Sequence, residues 1–337
     1  MKEIDIVFRL VRGALEGMVP EVGLMDAHHW WRLFRLMQQN HVAAMTADTM
    51  AALEVPREVK IPWLAERDKA ERWHRYQEEV QQEIVGIMKQ HGIETLVLKG
   101  THTAQYYPKP ELREFGDLDL YFFDRHDEAD KVAAEVLKVT VSNEAHHHSK
   151  YNYRGVTVES HYDFVNSHYP PSNSRYEVLL KELVPSPTFE VLFLLRHMAG
   201  HFAASRITLR DLVDWTLTCR ALHDEVDWNL VDKTIREFGM TEFAASLNSI
   251  AAQRFGIQMP TLSYDHPATL SRIEKDIIYG SMDDCEGDGI SRMVWKMRRW
   301  EALKWKRKMV YNDSNFRLWF ASLTAHAAKP RSITHKM

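Results

Sequence analysis

Cysteine is nearly missing from this 337-residue chain: Cys219 and Cys285 are its two, and they lie 66 residues apart. That spacing fits no CxxC or zinc-ribbon pattern, which excludes a disulfide framework and a structural zinc–thiolate site. Glycine (14) and proline (12) are also scarce, so collagen-like and linker-like material is excluded. Neither sign of charge dominates. With 43 basic against 47 acidic residues and a net charge of −4, the chain is not a polycation built to coat nucleic acid, and only a local basic patch is left for that role. Long apolar runs are lacking too. The longest, 191–195, is far short of the ~20 residues that cross a bilayer. Charges at Lys2, Glu3 and Asp5 occupy the place where a signal peptide needs its apolar stretch. A cytoplasmic protein in a reducing compartment is expected.

What is present is globular material, 45% hydrophobic and 27% charged, with length for about two domains at ~150 residues each. Residues 1–55 read as short amphipathic helices, from Ile4, Val7 and Phe8 and from Trp31, Phe34 and Met37. A long helix is expected over 63–91, stopped at His91-Gly92. The pattern then changes. Residues 95–99 form a short buried-strand run ending at Gly100, and 118–123 alternate with period two. A helix is expected over 127–137, and strands over 151–154 and 156–162 joined near Arg154-Gly155. Past a loop-like stretch at 168–174, helical periodicity runs to about 255, with a strongly apolar helix at 189–201 entered through Pro185 and Pro187. The expected class is α+β: a small mixed sheet (61–168) between an N-terminal helical region (1–60) and a C-terminal helical domain (169–337).

The chemistry concentrates around that sheet. On a strand, residues i and i+2 face the same way, so Asp117, Asp119 and Tyr121 share one face while Leu118, Leu120 and Phe122 share the other. The later strand repeats the pattern: Val156 and Val158 point one way, and Thr157, Glu159 and His161 the other. If the two strands are neighbours, three acids converge. Two carboxylates ~6.5 Å apart repel by roughly 2–3 kcal/mol at an effective dielectric of ~20. A fold gains nothing by gathering such groups unless a cation joins them, and Mg²⁺ takes a few carboxylate oxygens together with water and phosphates.

Leu98-Lys99-Gly100-Thr101, then Arg113-x-x-Gly116-Asp117-Leu118-Asp119-Leu120, then Val158-Glu159-Ser160-His161 resemble the DNA polymerase β-like nucleotidyltransferase superfamily. More narrowly, they look like the mostly uncharacterised bacterial nucleotidyltransferases whose strands read LKG, GDIDL and D/E-L-H. The resemblance covers roughly residues 60–255. It implies a polymerase β-type core that moves a nucleoside monophosphate, AMP from ATP being the expected case, from an NTP to a hydroxyl on a small molecule, sugar or protein. It further implies that Asp117, Asp119 and Glu159 are the catalytic, metal-binding acids for Mg²⁺ or Mn²⁺. In this reading Gly100 admits the triphosphate to the backbone, Thr101 offers a hydroxyl to it, and Lys99 and Arg113 serve as phosphate counter-charges.

Other features carry weaker signals. His197 and His201, at i and i+4 on one helix face, lack the glutamate of a zinc protease between them and are candidates to line the cleft, as is His161. The same holds for Arg210 and Asp214, whose spacing also fits a plain surface ion pair. His146 to His148 read as a solvated polar turn, with adventitious metal binding as the alternative. Segment 292–308 holds eight Lys/Arg residues, one acid (Glu301) and Trp295, Trp300 and Trp305. It suits either an anionic partner or a helix packed through Met293, Met297 and Trp300. The competing functions are a catalytically inactive nucleotidyltransferase-fold binding module and, behind it, a metal-dependent phosphohydrolase.

Overall fold

The computed structural model describes residues 2–143, 147–165, 170–263, 268–280, 290–314 and 316–321. The chain begins with helices because its apolar residues recur three and four apart. α1 (Glu3–Glu16) buries Val7, Phe8, Leu10 and Val11, and α2 (Ala27–Gln39) buries Trp30, Leu33 and Met37. The Asp26 side chain caps α2 by accepting from the His29 N–H at 2.8 Å. After the short α3 (Ala47–Ala51) comes α4 (Arg57–Gln90), which starts earlier than the expected 63–91. Pro62 sits inside its second turn, where the ring forfeits only the bond to the Glu58 carbonyl. The helix ends where expected, with Gly92 taking the left-handed conformation at φ +69°.

Four strands follow: β1 (Leu96–Val97), β2 (Asp117–Tyr121), β3 (His148–Tyr153) and β4 (Val156–His161). They lie in the order β1-β2-β4-β3, with β2 and β4 parallel and the two outer pairs antiparallel. The one-turn α5 (Thr101–Ala104) follows β1, and α6 (His126–Val136) follows β2. Arg154 and Gly155 join β3 to β4, both at positive φ (+51° and +82°), as a type I′ hairpin turn requires. β3 begins at His148, three residues before the expected start, because His148 and Lys150 sit on the strand without packing into the core. The mixed α+β class is thus as expected.

The C-terminal half is helical: α7 (Asn173–Leu183), α8 (Pro187–Ala204), α9 (Leu209–Ala221), α10 (Trp228–Glu237), α11 (Thr241–Ile250), a π-helical turn over Ala251–Phe255, α12 (Leu270–Tyr279), α13 (Ile290–Ala302) and α14 (Lys304–Val310). α7 starts inside the stretch expected to be a loop. Of that stretch, His168 and Tyr169 lie outside the described residues, as do His146 and Cys285. Among the described residues no helix is long and apolar enough to cross a membrane.

Two apolar cores result. Leu118, Leu120, Val156 and Val158 pack one sheet face against Val80, Ile84 and Met88 of α4 and Ala129 and Ala133 of α6. The larger core joins the first helices to the last ones. Phe8 meets Phe255 with ring centroids 5.8 Å apart, and Arg254 bridges Asp5 (2.9 Å) and Glu274 (2.5 Å). Within the basic segment, Lys306 is buried and pairs with Asp276 at 2.5 Å, while the Arg307 guanidinium lies 3.8 Å from the Trp300 ring centroid. Met297 is 67% exposed, so the packing of this segment runs through Trp300 and not through Met297.

Candidate active site

β2 and β4 run side by side with Asp119 opposite Glu159 and Asp117 opposite Thr157. With their apolar residues turned into the smaller core, the acids are left on the other face. Asp119, Glu159 and His161 each bring a ligand atom within 4.8 Å of the other two. Asp117 falls outside that triplet but lines the same cleft as Asp119. Asp119 is only 2% exposed. Burial works to raise its pKa, yet Lys99 Nζ at 3.2 Å from Oδ2 and a hydrogen bond from His161 Nε2 to Oδ1 (3.0 Å) hold it well below the ordinary carboxylate range. Glu159 behaves oppositely: burial, and then the charges of Asp119 and Asp117, push its pKa up. A second positive charge is therefore wanted between these acids. Carboxylate oxygens are hard ligands, so the donor set fits a divalent cation of the Mg²⁺ or Mn²⁺ kind.

The cleft runs from the sheet to α8 and α9, lined by Lys99, Gly100, Phe115, Leu194, Met198 and His197 together with arginines and aspartates. Lys99 does not project into open space. Besides Asp119 it donates to His197 Nε2 at 3.1 Å, which leaves the His197 proton on Nδ1. Burial, and next the Lys99 charge, depress the His197 pKa well below normal, so the imidazole is neutral. His201 is exposed one turn further on, its ring centroid 4.5 Å from that of His197. Gly100 has φ +65°, and a Cβ there would stand 3.3 Å from the Phe115 ring, so glycine is required by conformation and by space. The Thr101 hydroxyl donates to Gln81 Oε1 on α4.

Arg113 lines the same cleft and is paired with α9. Its guanidinium grips Asp214 of α9 in a two-pronged bond (2.8 and 2.7 Å), both side chains being 4% exposed, and a third N–H reaches the Gly100 carbonyl at 3.2 Å. Tyr107 also donates to Asp214, at 2.6 Å. Arg210 lies 4.0 Å from Asp214 and 3.0 Å from Asp211, partly buried, so its pair with Asp214 belongs to the cleft wall and not to an open surface. Asp211 in turn caps α9, accepting from the Thr208 N–H at 2.7 Å.

The sequence marks His161 as a cleft candidate but does not reveal that His147 and His148 lie beside it. His148 is directly opposite His161 in the β3–β4 register, and its Nε2 is 3.6 Å from Glu159 Oε1. Burial, then His161, push the His148 pKa down to about 3, and His147 is likewise depressed. These residues are packed, not solvated. The readable signal was the alternation His148, Lys150, Asn152 against Ser149, Tyr151, Tyr153, which extends the strand backward. Phe115 was also unread, as were Leu194 and Met198 of the α8 wall, on which the sequence had marked His197.

Comparison with known proteins returns one family. Among curated proteins and among solved structures, nothing matches. The family model described as "Uncharacterised nucleotidyltransferase" matches residues 26–256, about two thirds of the chain, and this span contains the Gly100 turn, both aspartates, Glu159 and the α8–α9 wall. Family and sheet geometry agree on nucleotidyl transfer as the class of chemistry, and the chain belongs to this uncharacterised nucleotidyltransferase family.

Proposed function

We propose that this protein moves a nucleoside monophosphate, AMP from ATP being the expected case, onto the hydroxyl of a second substrate, releasing pyrophosphate. The observation that carries the reading is the pairing of Asp119 with Glu159 across parallel strands, Asp119 facing a cleft that Asp117 and Gly100 also line. Asp117, Asp119 and Glu159 would hold Mg²⁺ or Mn²⁺; such a cation supplies neutralisation of phosphate charge and a lowered pKa for the attacking hydroxyl. Asp119 is kept ionised by its neighbours and thus ready to ligate. Gly100, with no Cβ, lets phosphate oxygens come close to the main chain. With its hydroxyl given to Gln81, Thr101 contributes here through its backbone. Lys99 keeps a positive charge at the cleft floor, between Asp119 and His197. Arg113 acts as a positioning residue, fixing the Gly100 carbonyl against α9 through Asp214.

A second reading, a catalytically silent binding module, is favoured by one observation: Lys99 already offsets the Asp119 charge. Incubation with each α-labelled NTP, Mg²⁺ or Mn²⁺ and a cell extract separates the two. Label is expected on an extract fraction, and Asp117→Asn and Asp119→Asn are each expected to reduce it by about 100-fold or more. Equal labelling by wild type and Asp119→Asn would overturn the proposal. Nucleotide binding by the wild type with no transfer would select the binding module.

A further inference from the structure

His147, His148 and His161 each bring a ring nitrogen within 4.8 Å of the other two, a grouping that nucleotidyl transfer does not call for. The three rings sit against one another with centroids 4.5–5.6 Å apart. Three features make this a ligand set and not a packing accident. First, the Nδ1 atom of His147 is buried with no hydrogen-bond partner, a costly arrangement for a polar atom. Second, Glu159 lies between the strands with Oε1 at 3.6 Å from His148 Nε2 and Oε2 at 3.8 Å from His161 Nε2. Ligands bonded at ~2.0–2.1 Å in a tetrahedron stand about 3.3–3.4 Å apart, so small side-chain rotations bring these atoms onto one ion. Third, His161 Nδ1 lies 3.4 Å from the Asp163 carbonyl, and a metal-bound imidazole commonly hands its second N–H to such a group.

We infer that His147, His148, His161 and Glu159 form a binding site for one nitrogen-preferring divalent ion of the Zn²⁺ or Co²⁺ type, clipping the start of β3 to the end of β4. Three imidazoles and one carboxylate suit such an ion, whereas Mg²⁺ favours all-oxygen ligation. On binding, the His161 proton leaves Nε2, breaking the hydrogen bond to Asp119, and the ring carries its hydrogen on Nδ1 toward Asp163. Lys150, with Nζ 3.2 Å from Glu159 and its side chain half exposed, swings outward as the ion takes its place. The site shares Glu159 with the nucleotidyl-transfer centre proposed above but does not depend on that activity.

The test uses metal-stripped full-length protein titrated with Co²⁺ alone and then with Zn²⁺. A single equivalent of Co²⁺ is expected to give the visible absorption of a four-coordinate ion, and Zn²⁺ is expected to displace it. His147→Gln/His148→Gln is expected to weaken binding by roughly tenfold or more. Circular dichroism checks that the double variant is folded; if it is not, His148→Asn alone is titrated in its place. Absence of the four-coordinate spectrum in the wild type, or the same spectrum and affinity in the histidine variant, would overturn the site. Because no nucleotide is present, label transfer by a protein that takes up no Co²⁺ would overturn this inference and leave the proposed activity standing.

Discussion

Asp119 and Asp117 share a strand face, but only Asp119 is held by a partly buried cation. The Lys99–Asp119 pair, with side chains 17% and 3% exposed, makes Asp119 structural as well as functional. Replacing it by asparagine strands the Lys99 ammonium beside a neutral amide, and breaking such a pair from one side costs about 3–5 kcal/mol. Asp117 is half-buried at the cleft, and Asp117→Asn is expected to change stability by less than about 0.5 kcal/mol. Urea unfolding of the two variants should therefore separate them even though both lose label transfer; equal unfolding midpoints would refute the argument. The placement of the acids on one face was legible from the period of two alone. The partners of the basic residues were not. Arg113 meets Asp214 across 101 residues of sequence, and no local pattern states that its guanidinium pairs with a helix carboxylate.

Between elements, the exit of β4 is tied to α7 by one side chain. Glu177, 6% exposed, accepts hydrogen bonds from the backbone N–H groups of Phe164 (3.1 Å) and Val165 (3.0 Å). Burial outweighs both bonds and pushes its carboxyl up to about 7, from an ordinary value of 4.5. The folded chain thus binds this proton more tightly than the unfolded chain does. The contribution is fully present below pH 4.5 and is lost as pH rises through about 7. Denaturant unfolding across that interval should show wild type losing stability with rising pH and Glu177→Gln losing less; identical slopes would remove Glu177 as the cause. Sequence hid this junction because Ser172, Asn173 and Ser174 read as a loop, whereas in the fold they open a helix whose buried residues are Asn173, Tyr176, Glu177 and Leu180. α4 and the β3–β4 turn were readable because Gly92 and Gly155 stop or reverse the chain by their own conformational freedom.

Across the whole molecule, the sequence suggests three consecutive parts, but the apolar residues do not respect those borders. Val7, Phe8, Leu10 and Val11 of α1 belong to one core with Phe243, Leu247, Phe255 and Ile277 from the far end of the chain. Arg254 adds a charged clasp: it pairs with Asp5 and Glu274 while its guanidinium lies 5.0 Å from the Phe8 ring centroid. Chain order could not reveal this, because amphipathic stripes announce that a helix has a buried face without naming what covers it. If α1–α3 formed a separate appendage, a chain starting at residue 56 would keep a sharp unfolding transition. If they complete the larger core, the same chain leaves the apolar face of the π-helical turn open to water, and cooperativity suffers. The second outcome is expected. The 56–337 chain should bind an apolar-surface dye and unfold with a shallower denaturant slope than the full chain, because less surface remains to be exposed. Its α8–α9 wall should loosen as well, since α9 packs against the same π-helical turn that α1 covers. Nucleotide binding in the cleft should then fall with no cleft residue changed, and an undiminished slope with undiminished binding would restore the three-part division.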